Sequence, residues 1–251
     1  MTFQIPEGGA MLVERGRFAI KLAETDAELA MAQELRYRVF HDELGKLQNC
    51  SDRDNDAFDR QFNHLLVIDR EAKRLAGTYR MQSSEAARNG LGFYSETEYE
   101  IENFDRIAAE TYEVGRSCVA PEYRNGAAIS LLWAGIQEMK NRCNFRYLIG
   151  CASIESESPE TGWSLFERFR TDGHLSPLIF GRSRESFKLT PGTPGEPPPL
   201  PPLFKGYLRL GAGIASEPAL DRDFGCIDFL ILFDFEEMTA RYSRHFSGKS
   251  N

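Results

Sequence analysis

Residues 111–133 read TYEVGRSCVAPEYRNGAAISLLW, and this stretch decides the fold. Its first nine residues, Thr111 to Val119, predict a strand, and Pro121 breaks it. A helix is expected from about Gly126 to Arg142, because Ile129, Leu132, Trp133, Ile136 and Met139 recur at helical spacing. A helix that starts straight after a short loop of small residues presents unpaired N–H groups and a positive dipole end, which suits a phosphate. Many plain strand-to-helix turns also contain glycine, so this segment points to a phosphate only in company with the rest of the chain.

Upstream, Phe18 to Leu22 reads as a short strand. The Thr25-Asp26 step then caps a helix running to about Leu44, with Leu29, Ala32, Leu35, Val39 and Phe40 forming its apolar stripe. CSDRDNDAFDRQ (residues 50–61) follows as a loop too acidic for a core. His64 to Ile68 and Leu75 to Met81 predict a β-hairpin. The aromatics Phe93, Tyr94, Tyr99 and Phe104 are expected in the core more than along a ligand channel. Downstream lie a strand from Phe145 to Ile154 and a helix from Pro159 to about Arg170, with Pro159 in a first-turn position. Residues 191–202 hold seven of the 12 prolines. That stretch is expected to be an extended surface strap, because the chain then resumes with CIDFLILFDF (residues 226–235), a strand apolar on both faces that must lie inside a sheet. The expectation is one domain over residues 1–251.

Composition excludes several function classes. The chain has 251 residues, a net charge of -8 and a pI near 5.2. That acidity speaks against a nucleic-acid binder working by bulk positive field. No apolar run is long enough to span a bilayer, and the start, MTFQIPEGGAMLVERG, lacks the pattern of a secretory leader. Cys50, Cys118, Cys143, Cys151 and Cys226 are odd in number and scattered, as expected of reduced thiols in a cytoplasm. His41, His64, His174 and His245 show no ligand spacing, so no metal is expected. The expected location is cytoplasmic, with peripheral contact at the inner membrane as the variant.

The order strand, long helix, loop, hairpin, strand, Arg124–Gly126 loop, helix, strand, helix and tail strand resembles the GNAT N-acyltransferases. The resemblance implies a mixed, mostly antiparallel α/β sheet, with splayed central strands that admit a pantetheine arm and helices on both faces. In that family the loop reads roughly R-x-x-G-x-A/G; Arg124, Gly126, Ala127 and Ala128 approximate it, with the glycine nearer the arginine than usual. That departure suits a carrier with one phosphate better than coenzyme A. Within the fold, LRYRVFHDELGK, DAFD, TYR and EVGR are similar to the acyl-homoserine-lactone synthases. The matching residues are Arg36, Phe40, Asp56, Asp59, Arg80, Glu113 and Arg116. Lys46 or a neighbour stands where that family has a tryptophan, so an S-adenosylmethionine acceptor is not implied. RYRVF, DxFD, GxYR, YEVGRSCV, LIGCAS and PPLFKGYLRLGA together resemble, over almost the whole chain, the hemolysin-like ornithine-lipid acyltransferases.

That resemblance implies transfer of a 3-hydroxyacyl group from acyl carrier protein to the α-amine of ornithine, with no cofactor bound by the enzyme itself. The alternatives are an N-acyl amino acid or acyl-homoserine-lactone synthase, or a non-catalytic lipid-binding protein. Glu113 is the candidate base, directly or through a water, because the acceptor arrives as an ammonium. Residues three apart on a regular strand face opposite ways, so a bulge at Gly115 is needed to bring Arg116 to the same side. Backbone N–H groups near Cys118 and Val119 are candidate donors to the oxyanion, and the Cys118 thiol itself reads as packing. Asp56 and Asp59 suit the acceptor's cationic ends. Arg36, Arg80 and Arg116 suit either its carboxylate or a buried network with the acids. Arg142 and Arg146, with Arg168, Arg170, Arg182, Arg184 and Lys188, are the candidate docking surface for an acidic carrier.

Overall fold

The computed structural model describes residues 10–46, 52–124 and 126–237; Cys50 and His245 lie outside them. The described chain falls into two compact units, residues 10–82 with 114–145, and residues 83–113 with 146–237.

The first unit opens with a hairpin, β1 (Met11–Arg15) and β2 (Phe18–Leu22), followed by α1 (Asp26–Tyr37). Thr25 caps α1 as expected, its hydroxyl accepting from Glu28 N–H. Regular α-helix ends at Tyr37, short of Leu44, and the chain continues as a π-helical turn, Arg38–Glu43, that holds Phe40. β3 (Asn63–Asp69) and β4 (Arg74–Ser83) form the expected hairpin. The strand order is β1-β2-β3-β4-β6, where β6 is Thr111–Val119, the predicted span. Helix α4 (Ala127–Cys143) follows.

Alternation along β2 places the helices. Ile20 meets Gly135 of α4, while the next residue, Lys21, bonds Glu28 of α1 at 2.8 Å, so the two helices cover opposite faces. A Cβ on Gly135 would lie 2.6 Å from Leu65, so only glycine lets α4 approach this closely.

The second unit begins with α2 (Ser84–Asn89), α3 (Ser95–Glu98) and β5 (Tyr99–Glu102). It continues through β7 (Tyr147–Ile154), α5 (Pro159–Thr171) and β8 (Phe180–Ser183), which pairs with β5. The tail supplies α6 (Pro202–Leu210), β9 (Gly213–Ile214), β10 (Ala219–Asp221) and β11 (Cys226–Asp234). All nine residues of β11 are buried, as its apolar run requires. Ile227 and Phe229 face α5 and α6, where Phe169, Phe204 and Phe229 pack ring on ring. Leu230 and Leu232 face a second cluster with Phe93, Tyr99, Phe104 and Ile149. The proline stretch lies along α5: Gly195 N–H donates to Ser164 Oγ at 2.7 Å, and the Trp163 indole to the Thr190 carbonyl at 2.9 Å.

Every ladder is antiparallel among those with a described register except one. β6 pairs in parallel with β7 over Thr111–Glu113 and Tyr147–Ile149 only, although both strands run on.

Candidate active site

The acidic loop after α1 is drawn inward by arginines. Arg36, with a side chain 1% exposed, donates through Nε to Asp54 Oδ2 at 2.8 Å, and through Nη1 and Nη2 to the two oxygens of Asp59 at 3.0 and 2.8 Å. Arg80 Nη1 reaches both oxygens of Asp56 and Oδ1 of Asp59, each at 2.8 Å, with its guanidinium 4.7 Å from the Phe62 ring centre. Arg116 approaches Asp56 at 3.4 Å and Asp54 at 3.5 Å. Three cations thus match three anions. The expectation that this loop is too acidic for a core is corrected: Asp54 and Asp59 are buried, because each carboxylate has a guanidinium beside it. Asp56 is the exception, with 23% of its side chain exposed.

Burial works to raise the Asp59 pKa, but Arg36, then Arg80 and Gln33, more than offset it and hold the carboxyl well below the usual range. His64 moves the same way for a different reason. Burial lowers it, the bond from Nε2 to the Asp59 carbonyl (3.0 Å) opposes that, and Arg36 and Arg80 lower it further, so the imidazole stays neutral.

On β6 the alternation slips where a bulge was expected, one residue later. The left-handed residue is Arg116 (φ 53°), not Gly115. A Cβ on Gly115 would face Arg80 Nε at 3.8 Å, and Arg116 bonds the same network, so two consecutive residues share a side. Glu113, three residues earlier, has a different environment. It is buried, with Oε2 accepting from Tyr94 N–H at 2.7 Å and Oε1 from Ser95 N–H at 2.6 Å and Ser95 Oγ at 2.5 Å. The carboxylate therefore also pins the start of α3.

A model of the acetyltransferase (GNAT) domain family matches residues 35–134. The chain is 34% identical to an L-ornithine N(alpha)-acyltransferase of Brucella abortus, over 97% of this chain and 94% of that one. It is 31% identical to the enzyme of that name from Agrobacterium fabrum, over 94% and 87%. The chain belongs to the L-ornithine N(alpha)-acyltransferase family. Membership makes it an amino-acid N-acyltransferase of GNAT fold. Among solved structures it is similar to the CoA-dependent acyl-homoserine lactone synthase BjaI with SAM and isopentyl-CoA, at TM-score 0.50 and 18% identity over 89% of this chain and 83% of that one.

The acyltransferase's remaining sequence candidates fall in different settings. Cys118 is buried, its Sγ 3.6 Å from the Leu35 carbonyl, and burial pushes its thiol up to about 12. The carbonyl of the next residue, Val119, accepts from Arg124 Nε at 3.1 Å. Arg124 also forms a two-pronged pair with Glu43, so its guanidinium already has an anion. Gly126 sits at φ 87° as the N-cap of α4, ahead of Ala127 and Ala128. Arg142 pairs with Glu138 at 2.8 Å, and Arg146 with Asp234 at 2.7 Å and Glu236 at 2.9 Å. One buried trio among the described residues has metal-binding side-chain types, Asp221, Cys226 and Asp228. Asp221 accepts two turn N–H groups, and burial with the neighbouring acids pushes the Cys226 thiol up, leaving it protonated.

Sequence reasoning missed Asp54, Gln33, Ser95 and Glu43. Asp54 and Gln33 left a signal: the spacing D-x-D-x-x-D in 54–59, and Gln33 one turn before Arg36 on the same helix face. Ser95 meets Glu113 across 18 residues, and no local pattern marks such a contact.

Proposed function

We propose that this enzyme moves a 3-hydroxyacyl group from the phosphopantetheine thioester of acyl carrier protein to the α-amine of L-ornithine, forming a lyso-ornithine lipid. The observation that carries this reading is the charge-balanced arginine–aspartate network with a single part-exposed carboxylate, Asp56, placed to meet a cationic acceptor.

The ornithine α-ammonium first gives up a proton, for which Glu113 is the assigned acceptor, directly or through a water. The freed nitrogen pair attacks the thioester carbonyl carbon. A C–N bond forms and the carbonyl oxygen takes the negative charge, stabilised by backbone N–H groups at Cys118 and Val119. The C–S bond then breaks; the nitrogen gives up its second proton as the amide forms, and the departing thiolate takes up one proton, so the step balances. The buried, protonated Cys118 thiol speaks for direct transfer, because only a thiolate is an effective acyl acceptor.

For the donor's phosphate we assign the N-terminal turn of α4, with Gly126, Ala127 and Ala128. Arg124 supports that loop through Glu43 and the Val119 carbonyl. For the carrier we assign the face around Arg142 and Arg146, with Arg142 the residue to test, because Arg146 also anchors Asp234. No helix among the described residues is long and apolar enough to cross a membrane. The working location is the cytoplasm, at the inner-membrane surface that receives the product.

The test is purified protein with 3-hydroxyacyl carrier protein and a panel of amines, read by product mass. Acylated L-ornithine is the expected product. An equal or faster rate with S-adenosylmethionine, or release of free acid alone, overturns the reading.

A further inference from the structure

A second feature of the first unit borders the network and shares two of its carboxylates, Asp56 and Asp59. A pocket of ≈ 610 Å³ is bounded by the N-terminal half of α1 and the 53–62 loop. That size is ordinary for a small-molecule site, about 300–1,000 Å³. Its wall carries four carboxylates, Glu24, Asp26, Asp56 and Asp59, against two arginines. An acidic wall alone would be a solvated surface. Two nitrogens make it more specific.

His64 lines the pocket with its side chain 4% exposed, and its Nδ1 is buried without a hydrogen-bond partner. Nε2 faces the Asp59 carbonyl at 3.0 Å, and a carbonyl only accepts, so Nε2 carries the hydrogen and Nδ1 holds a lone pair. Arg53 lines the same pocket. Its Nη2 donates to Glu34 at 3.1 Å, while its Nε is buried without a partner. Unmatched buried donors and acceptors are unfavourable and rarely kept. Here one of each belongs to a residue lining one acidic pocket.

We propose that this pocket is a binding site for the non-reacting polar ends of a dibasic amino acid. His64 Nδ1 and the wall carboxylates take the side-chain ammonium, and Arg53 Nε takes the carboxylate. The site would thus select a diamino acid over a neutral one, and an amino acid over a plain diamine. It rests on the reading that the acceptor is ornithine, and adds the residues that read its far end.

The test crosses two variants with three acceptors: L-ornithine, L-norvaline (no side-chain amine) and 1,4-diaminobutane (no carboxylate). His64→Gln keeps a donor for the Asp59 carbonyl but lacks the Nδ1 lone pair. It is expected to raise the KM for ornithine about tenfold and leave that for norvaline unmoved, the size of one charged hydrogen bond. Arg53→Lys is expected to narrow the preference for ornithine over 1,4-diaminobutane by a similar factor. If wild-type enzyme acylates ornithine while His64→Gln leaves its KM unchanged or raises that for norvaline equally, the pocket assignment falls and the function stands. If wild-type enzyme ignores ornithine, the functional reading fails instead. Should His64→Gln not fold, the ¹⁵N resonance of His64 Nδ1 in wild-type enzyme decides. A shift on adding L-ornithine but not L-norvaline supports the site, and no shift overturns it.

Discussion

Two carboxylate environments stand three residues apart along β6. Around Arg116, Asp54, Asp56 and Asp59 are held by guanidinium groups, charge against charge. Glu113 accepts instead from two backbone N–H groups and a hydroxyl at the start of α3. The first arrangement is rigid only while its buried members are present, since removing one of them leaves a buried charge unmatched. The second ties a carboxylate to the backbone at the start of α3. The difference teaches that the buried members, Arg36, Asp54 and Asp59, report on folding, while Glu113 and the part-exposed Asp56 can be changed to probe chemistry.

The largest expected effect lies in the network. Arg36→Ala leaves Asp54 and Asp59 buried without their main partner and should cost about 3–5 kcal/mol of stability, read by thermal or urea unfolding. A loss below about 1 kcal/mol, the range of exposed pairs, would show that the network is not the structural element described. Glu113→Gln should act mainly on rate. Turnover should fall about 10²-fold, the scale of a lost general base, with a smaller fall in melting temperature from the weakened α3 anchor. Wild-type turnover across pH 7 to 9 would remove Glu113 from the chemistry.

Acid should separate the members of the network further. The folded-state pKa of His64 lies below 6.5, so the unfolded chain binds its proton first as pH falls. Stability attached to His64 is therefore full above about pH 6.5 and lost on descending from there toward the folded value. Asp59 is also depressed in the folded state, so its contribution is full above about pH 4 and lost at lower pH. Melting temperature should thus fall in two stages, and His64→Gln should abolish the first. A single acid transition in both proteins would contradict this ordering. Cys118→Ala should be the mildest change, within about threefold of wild-type turnover, because a protonated, packed thiol takes no part in transfer. Loss of activity together with a trapped acyl-enzyme in the wild type would reverse that conclusion.

Much of this was legible in the residues. The span of β6, the Thr25 cap, the β3-β4 hairpin and the doubly buried β11 follow from local patterns, and those patterns are strongest where alternation or capping decides the outcome. The burial of the acidic loop was not legible by composition, because polarity predicts exposure until the partners are known. Those partners come from α1, β4 and β6, brought together by the fold rather than by spacing. A slip in β6 is expected at Gly115, the residue that tolerates it most cheaply. Arg116 adopts it instead, and its bonds to Asp54 and Asp56 hold it there.

The proposed division of work gives acceptor recognition to the aspartate network and the transfer step to Glu113. Steady-state kinetics of Asp56→Asn beside Glu113→Gln, with L-ornithine and the acyl carrier each varied in turn, tests it most directly. Asp56→Asn should raise the KM for ornithine several-fold, about the loss of one charged contact, with kcat and the carrier's KM little changed. Glu113→Gln should lower kcat with the ornithine KM nearly unmoved. If both variants shift the same parameter, or if Asp56→Asn raises the KM for both substrates equally, the two regions do not divide the work and the account is wrong.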